Sequence, residues 1–126
     1  MMFAHCLEAA RTYRDAAKAA LAERLTTHAI DTQQRAAHGF AWIATSVAAL
    51  EAVSDWLTAN AGGSPLDQQV AHLIFAETLG QLVGGLPMGQ NELLRPSDLG
   101  VQDAARALEA ASSSVLLADH ASTRLA

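Results

Sequence analysis

"HGFAWIATSVAAL", residues 38–50, decides the fold of this chain. Phe40, Ile43, Val47 and Leu50 recur at alternating intervals of three and four, which is the period of a helix with one bulky face. Working outward, Ala36 and Leu57 continue the pattern, so a helix is expected from about Thr32 to Asn60. Trp42, Ala49 and Trp56 lie beside the bulky face, and the tryptophan stripe is expected in the core. Ala41, Thr45, Ala48, Ala52, Asp55 and Ala59 form a mostly small opposite side. A helix of this kind is gripped between neighbours. Asp31 offers an N-cap, and Gln34 three residues on completes a capping-box pattern. "AGGSPLD", residues 61–67, ends the helix: glycine terminates it, Ser64 caps the next, and Pro65 takes that helix's first position.

Three more segments carry helical period. The first runs from about Phe3 to Leu25, with Phe3, Leu7, Ala10, Ala17 and Leu21 on one seam and Arg14 as its polar member. The third, about Pro65 to Val83, is apolar on two sides: Leu66, Val70, Leu73 and Ile74 on one, Phe75, Leu79 and Leu82 on the other. Such a helix sits centrally in a bundle or at an interface. The last starts near Asp98 and is expected to reach about residue 120, with Val101, Ala105, Leu108, Ser112 and Val115 in heptad spacing. Between the last two lies "GGLPMGQNELLRPSDLG", residues 84–100, an irregular connection long enough to be functional or packed against something. No strand signal appears. The expected fold is one all-α domain over residues 1–126, an up-down-up-down four-helix bundle with helices at about 3–25, 32–60, 65–83 and 98–120.

Composition narrows the function. A chain of 126 residues can bury roughly two thirds of the surface its unfolded form exposes. Twenty-eight alanines let helices approach closely. A net charge of −5 with eight Lys and Arg argues against nucleic acid or an anionic membrane as partner. One cysteine excludes an intrachain disulfide and suits a reducing, cytoplasmic setting. No membrane span and no signal peptide are expected.

Candidate chemistry is sparse. Di-iron bundles need Glu-x-x-His pairs on two helices; here His5 and Glu8 occur once, in reverse order, so no metal site is expected. The histidines His5, His28, His38, His72 and His120 lie on different segments. His38, one turn ahead of Trp42, reads as a hydrogen-bonded or solvated residue near a helix start, with a ligand or interface contact as the alternative. Glu77 and Gln81 fall within the Leu66–Ile74 stripe and read as a buried polar network satisfied by Arg14, Arg35 or a tryptophan N–H. An acid/base role for Glu77, or a ligand pocket beside Glu77 and Trp42, is the other reading. Cys6 has no partner cysteine or base nearby in sequence and is a poor nucleophile. Gly84, Gly85 and Gly89 follow a helix rather than a strand and form no phosphate loop. No catalytic or cofactor-binding set assembles.

The stretch from about Gln34 to Val101, through "HGFAW" and the Gly84-Gly85-Leu86-Pro87-Met88 to Arg95-Pro96 connection, resembles the N-terminal helical extension of methylsuccinyl-CoA dehydrogenase-type flavoenzymes. These are a branch of the acyl-CoA dehydrogenases. The resemblance implies a full enzyme that binds FAD and oxidises a branched acyl-CoA thioester, with its active-site glutamate and flavin contacts outside this chain. It also implies a fold similar to the C-terminal helical bundle of acyl-CoA dehydrogenases, packing against the catalytic core or a sister subunit in a homo-oligomer. Leu86–Pro96 would be the docking segment, with Arg95 as a charged contact, and His38 with Trp42 would mark the meeting point. A free-standing helical dimerisation or adaptor module is the alternative.

Overall fold

All four periodic segments form helices in the computed structural model, which describes residues 3–116. In chain order these are α1 (Ala4–Thr27), α2 (Gln34–Ala59), α3 (Pro65–Gly84), a hairpin of β1 (Leu86–Gly89) and β2 (Glu92–Leu94), α4 (Pro96–Leu99) and α5 (Gln102–Ala111). α1 packs against α2 and α5, α2 against α3, and α3 against α5. The fold is thus predominantly helical with one small antiparallel sheet.

The buried stripes match the sequence seams. Phe3, Leu7, Ala10 and Ala17 come from α1 and the turn before it, Ile43, Val47 and Leu50 from α2, Phe75, Leu79 and Leu82 from α3, and Ala105 and Leu108 from α5. Cys6 and Tyr13 join them from α1. Phe3 stacks on Phe75 with ring centroids 4.2 Å apart and planes within 8°. Arg11 and Arg14 of α1 both donate to the Glu51 carboxylate of α2, at 3.4 and 3.3 Å. These groups are partly solvated, so the pairs orient α1 on α2 more than they stabilise it.

Several expectations are corrected. Asp31 does not cap α2. It lies in a separate 3-10 turn, Ile30–Thr32, and α2 starts from Gln33 without a side-chain cap. Ser64 does cap α3, and Asp67 reciprocates by accepting from the Ser64 N–H. The last helix is broken: the Gly100 N–H donates to the Ser97 carbonyl and the Val101 N–H to Pro96, closing α4 before α5 begins. Beyond a turn at Ser112 the chain is helical to Leu116, and the expected continuation to residue 120 lies outside the described residues. α2 is, by length and composition, long and apolar enough to cross a bilayer, although no span was expected. The side it buries faces α1 and α3, as a bundle helix requires.

The tryptophans are not core residues. Trp42 and Trp56 are 38% and 45% exposed, because the buried side of α2 is centred on Ile43, Val47, Leu50 and Leu57. The α2–α3 turn carries a local cost as well. Ala61 adopts φ +55°, the left-handed region, between a helix end and two glycines at +87° and +79°. A β-carbon is disfavoured there by roughly 1–2 kcal/mol. Ala61→Gly is therefore expected to stabilise the chain by up to about 1 kcal/mol, seen as a rise of a few degrees in melting temperature.

Candidate functional site

Gly39 explains the opening of the "HGFAW" run. A β-carbon at that position would stand 2.6 Å from Leu94 Cδ1 and 2.9 Å from Cδ2, so the glycine is the seat into which β2 presses its buried leucine. Two strands of four and three residues are marginal alone, and the hairpin exists because the helices hold it. Leu86 pairs with Leu94 and Pro87 with Leu93, with an irregularity before Gly89 pairs with Glu92. Leu86, Met88 and Leu94 point inward.

A polar clip fastens the far side. Arg35 of α2 donates to the Leu93 carbonyl at 2.8 Å and to Asp98 Oδ2 at 3.3 Å. Arg24 of α1 donates to the Asp98 carbonyl at 2.8 Å. The Arg95 N–H donates to Asp98 Oδ2 at 2.7 Å, capping α4. This N–H, above all, holds the Asp98 carboxyl below its usual value of 3.8; partial burial opposes it and the Arg35 guanidinium reinforces it. The carboxylate therefore ties α2 to the start of α4, the Arg35 guanidinium extends the tie to β2 through the Leu93 carbonyl, and the Asp98 main chain is tied to α1.

A group with a depressed folded pKa gives stability that is present above the unfolded value and lost as pH falls through the folded one. The clip should thus hold at neutral pH and weaken only below pH 3.8. Asp98→Ala is expected to cost about 1 kcal/mol, the worth of a lost cap, and to flatten the acid limb of a pH-stability curve measured by urea melts.

Beside the clip the surface is open. The Trp42 indole N–H donates to His38 Nε2 at 3.1 Å, so in that arrangement the neutral imidazole carries its proton on Nδ1. The rings meet edge to face, 6.3 Å apart. His38 borders two shallow hollows, one with Gln34, Arg35 and Glu92, the other with Ala41, Trp42 and Thr45. Arg95 does not join them. It lies in a cleft of about 260 Å³ between the end of α3, α4 and α5, with Ser97, Gln102 and Arg106.

Glu77 and Gln81 form no buried network. Glu77 is exposed and Gln81 only half-buried, because their stripe faces solvent rather than a neighbouring helix. Arg14 and Arg35, their suggested partners, are committed to Glu51 and Asp15 and to Asp98 and Leu93. Burial pushes the Cys6 thiol up, and its Sγ–H donates to the Phe3 carbonyl, so it is no thiolate. The Tyr13 hydroxyl is pushed up to about 12, also by burial. Among the described residues no group of three His, Cys, Asp or Glu side chains could hold a metal ion. The clip itself was missed in the sequence, although Arg95-Pro96-Ser97-Asp98 has the proline and acid of a helix start.

No protein-family model and no solved structure matches the chain. It is 33% identical over 97 residues to (2S)-methylsuccinyl-CoA dehydrogenase of Cereibacter sphaeroides. The chain is a distant relative of part of that enzyme. The match covers 70% of this chain and 18% of the enzyme's own length.

Proposed function

We propose that this chain is a non-catalytic helical domain of an FAD-dependent acyl-CoA dehydrogenase of the methylsuccinyl-CoA type, cytoplasmic and homo-oligomeric. The match to a stretch amounting to 18% of such an enzyme carries this reading. In it, the four long helical segments form an up-down-up-down bundle that packs on the catalytic core or a sister subunit. A flavin bound in that core, outside this chain, would supply the hydride acceptor. The hollows at the hairpin end hold about 180 and 320 Å³ and are bounded by exposed side chains, at or below the size of an ordinary small-molecule site.

What the chain supplies is a rigid end. Leu94 seated on Gly39, and Asp98 held by Arg35 and the Arg95 N–H, fix β2 and α4 on α2. His38, Trp42 and Leu93 are exposed at this end, and Arg95 is exposed in the neighbouring cleft towards α3 and α5; the proposed contact surface runs across both. The apolar side chains of Leu86, Met88 and Leu94 are used within the chain, so Leu86–Pro96 docks through its outer side.

Size-exclusion chromatography with light scattering tests the reading. The chain is mixed with flavin-loaded methylsuccinyl-CoA dehydrogenase lacking the stretch that matches it. Co-elution, weakened in a Trp42→Ala, Arg95→Ala variant, is expected. A homodimer that ignores the core would favour the adaptor reading instead.

A further inference from the structure

One hydrogen bond at the hairpin end can exist in only one protonation state. The Trp42 indole N–H donates to His38 Nε2 at 3.1 Å, one turn back on α2. An indole nitrogen only donates, and a protonated imidazole carries two N–H groups and no acceptor. Uptake of a proton by His38 therefore breaks this bond outright. The indole has no second polar group, so no other hydrogen bond fixes it. Trp42 is exposed, and the hollow beside it is bordered by His38, Ala41 and Thr45, none of which carries a competing charge in the neutral state.

The charged groups around His38 decide where its ring goes once it is protonated. On the side away from Trp42 it shares a hollow of about 320 Å³ with Gln34 and Arg35 of α2 and Glu92 of β2. Arg35 is a cation held in place by the Leu93 carbonyl and by Asp98. Glu92 is exposed, and its carboxylate is the one group bordering that hollow that attracts an imidazolium. Protonation thus removes the reason for the ring to face Trp42 and supplies one for it to face Glu92.

We infer that His38 and Trp42 form a proton-operated latch at the contact surface, closed when His38 is neutral and open when it is protonated. The closed latch presents the indole in one orientation, which reduces the side-chain freedom lost when a partner packs on it. The open latch frees the indole and adds a positive charge beside Arg35. Its consequence for docking rests on the proposed contact at the hairpin end: docking there is favoured with His38 neutral and weakens as His38 gains a proton. The clip does not change over the same range, because the Asp98 carboxyl is held below its usual 3.8.

The latch is tested on the chain alone, in a Trp56→Phe background that leaves Trp42 as its one indole. Nitrogen-15 NMR spectra are recorded from about pH 8 to about pH 5, the range over which imidazoles take up a proton. At the upper end His38 is expected as the Nδ1–H tautomer. As pH falls, the Trp42 indole N–H signal should move with the midpoint of the His38 ring, towards the position it holds throughout in a His38→Ala variant. His38→Gln, whose amide oxygen can accept without titrating, should make the indole signal independent of pH. A neutral His38 with its proton on Nε2, or an indole signal that coincides with that of His38→Ala already at the upper end, would overturn the latch.

Docking is tested separately, with the flavin-loaded core that lacks the matching stretch. Its affinity for the chain is expected to be several-fold weaker at about pH 5 than at about pH 8, with His38→Gln removing the difference. Equal affinity at both pH values while the indole titrates would overturn the control of docking and spare the docking itself. Absence of binding at either pH would overturn the docking reading together with its control, while the spectra of the chain alone still decide the latch.

Discussion

Phe75→Ala is expected to remove about 3–5 kcal/mol of stability, the cost of truncating a fully buried aromatic side chain. Phe75 has no exposed surface, and its ring lies flat on Phe3 at 4.2 Å, so the substitution empties the contact between α3 and the start of the chain. A stacked pair adds about 0.5–1.5 kcal/mol beyond area burial. Against a total of about 5–15 kcal/mol for a domain of this size, the loss takes between about a fifth and all of the stability. Urea melts followed by circular dichroism give the measurement: the midpoint should fall sharply with little change in slope. Leu73→Ala, on the opposite stripe, should change the stability by less than about 0.5 kcal/mol. Equal effects at the two positions would mean that α3 is buried on both sides, contrary to the fold described.

Gly39→Ala should destabilise the chain, and the sign is what makes it informative. In a helix interior, alanine in place of glycine ordinarily gains about 0.5–1 kcal/mol. Here the new methyl would fall 2.6 Å from a terminal carbon of Leu94, which is itself buried and has little room to retreat. Overpacking of this kind costs about 1–3 kcal/mol, enough to reverse the usual gain. Leu94→Ala should be destabilising alone, yet adding Gly39→Ala to it should cost little or even help. A double-mutant cycle would then show coupling of about 1 kcal/mol or more. Simple additivity would mean that β2 does not sit on α2 at this point.

These two positions also show how far the residues could be read unaided. The Phe75, Leu79, Leu82 stripe and the "HGFAW" helix announce themselves by period, because a helix repeats its burial every three to four residues and the signal accumulates over twenty or more. The hairpin gives no such signal. Strands of four and three residues, interrupted by Pro87 and an irregular register, are too short for alternation to show. They are seated through Leu94 on Gly39, more than fifty residues upstream. Which side of a helix is covered was the other illegible quantity. Periodicity finds both stripes of α3 and both tryptophans of α2 but does not say which the fold will use, and here it leaves Leu66, Trp42 and Trp56 outside. Glu77 was misplaced for the same reason, since its polarity was weighed against a stripe assumed to be buried. The clip is legible only in part: Pro96 and Asp98 mark a helix start, but the reach of Arg35 across 63 residues is tertiary.

The central claim, that the hairpin end is the surface by which this chain joins a dehydrogenase core, is tested most directly by hydrogen–deuterium exchange. The chain is measured alone and with the flavin-loaded core that lacks the matching stretch. The account predicts slowed exchange over residues 35–45 and 86–98 on adding the core, with α1 unchanged. Exchange that is identical with and without the core, or protection confined to α1, would contradict it.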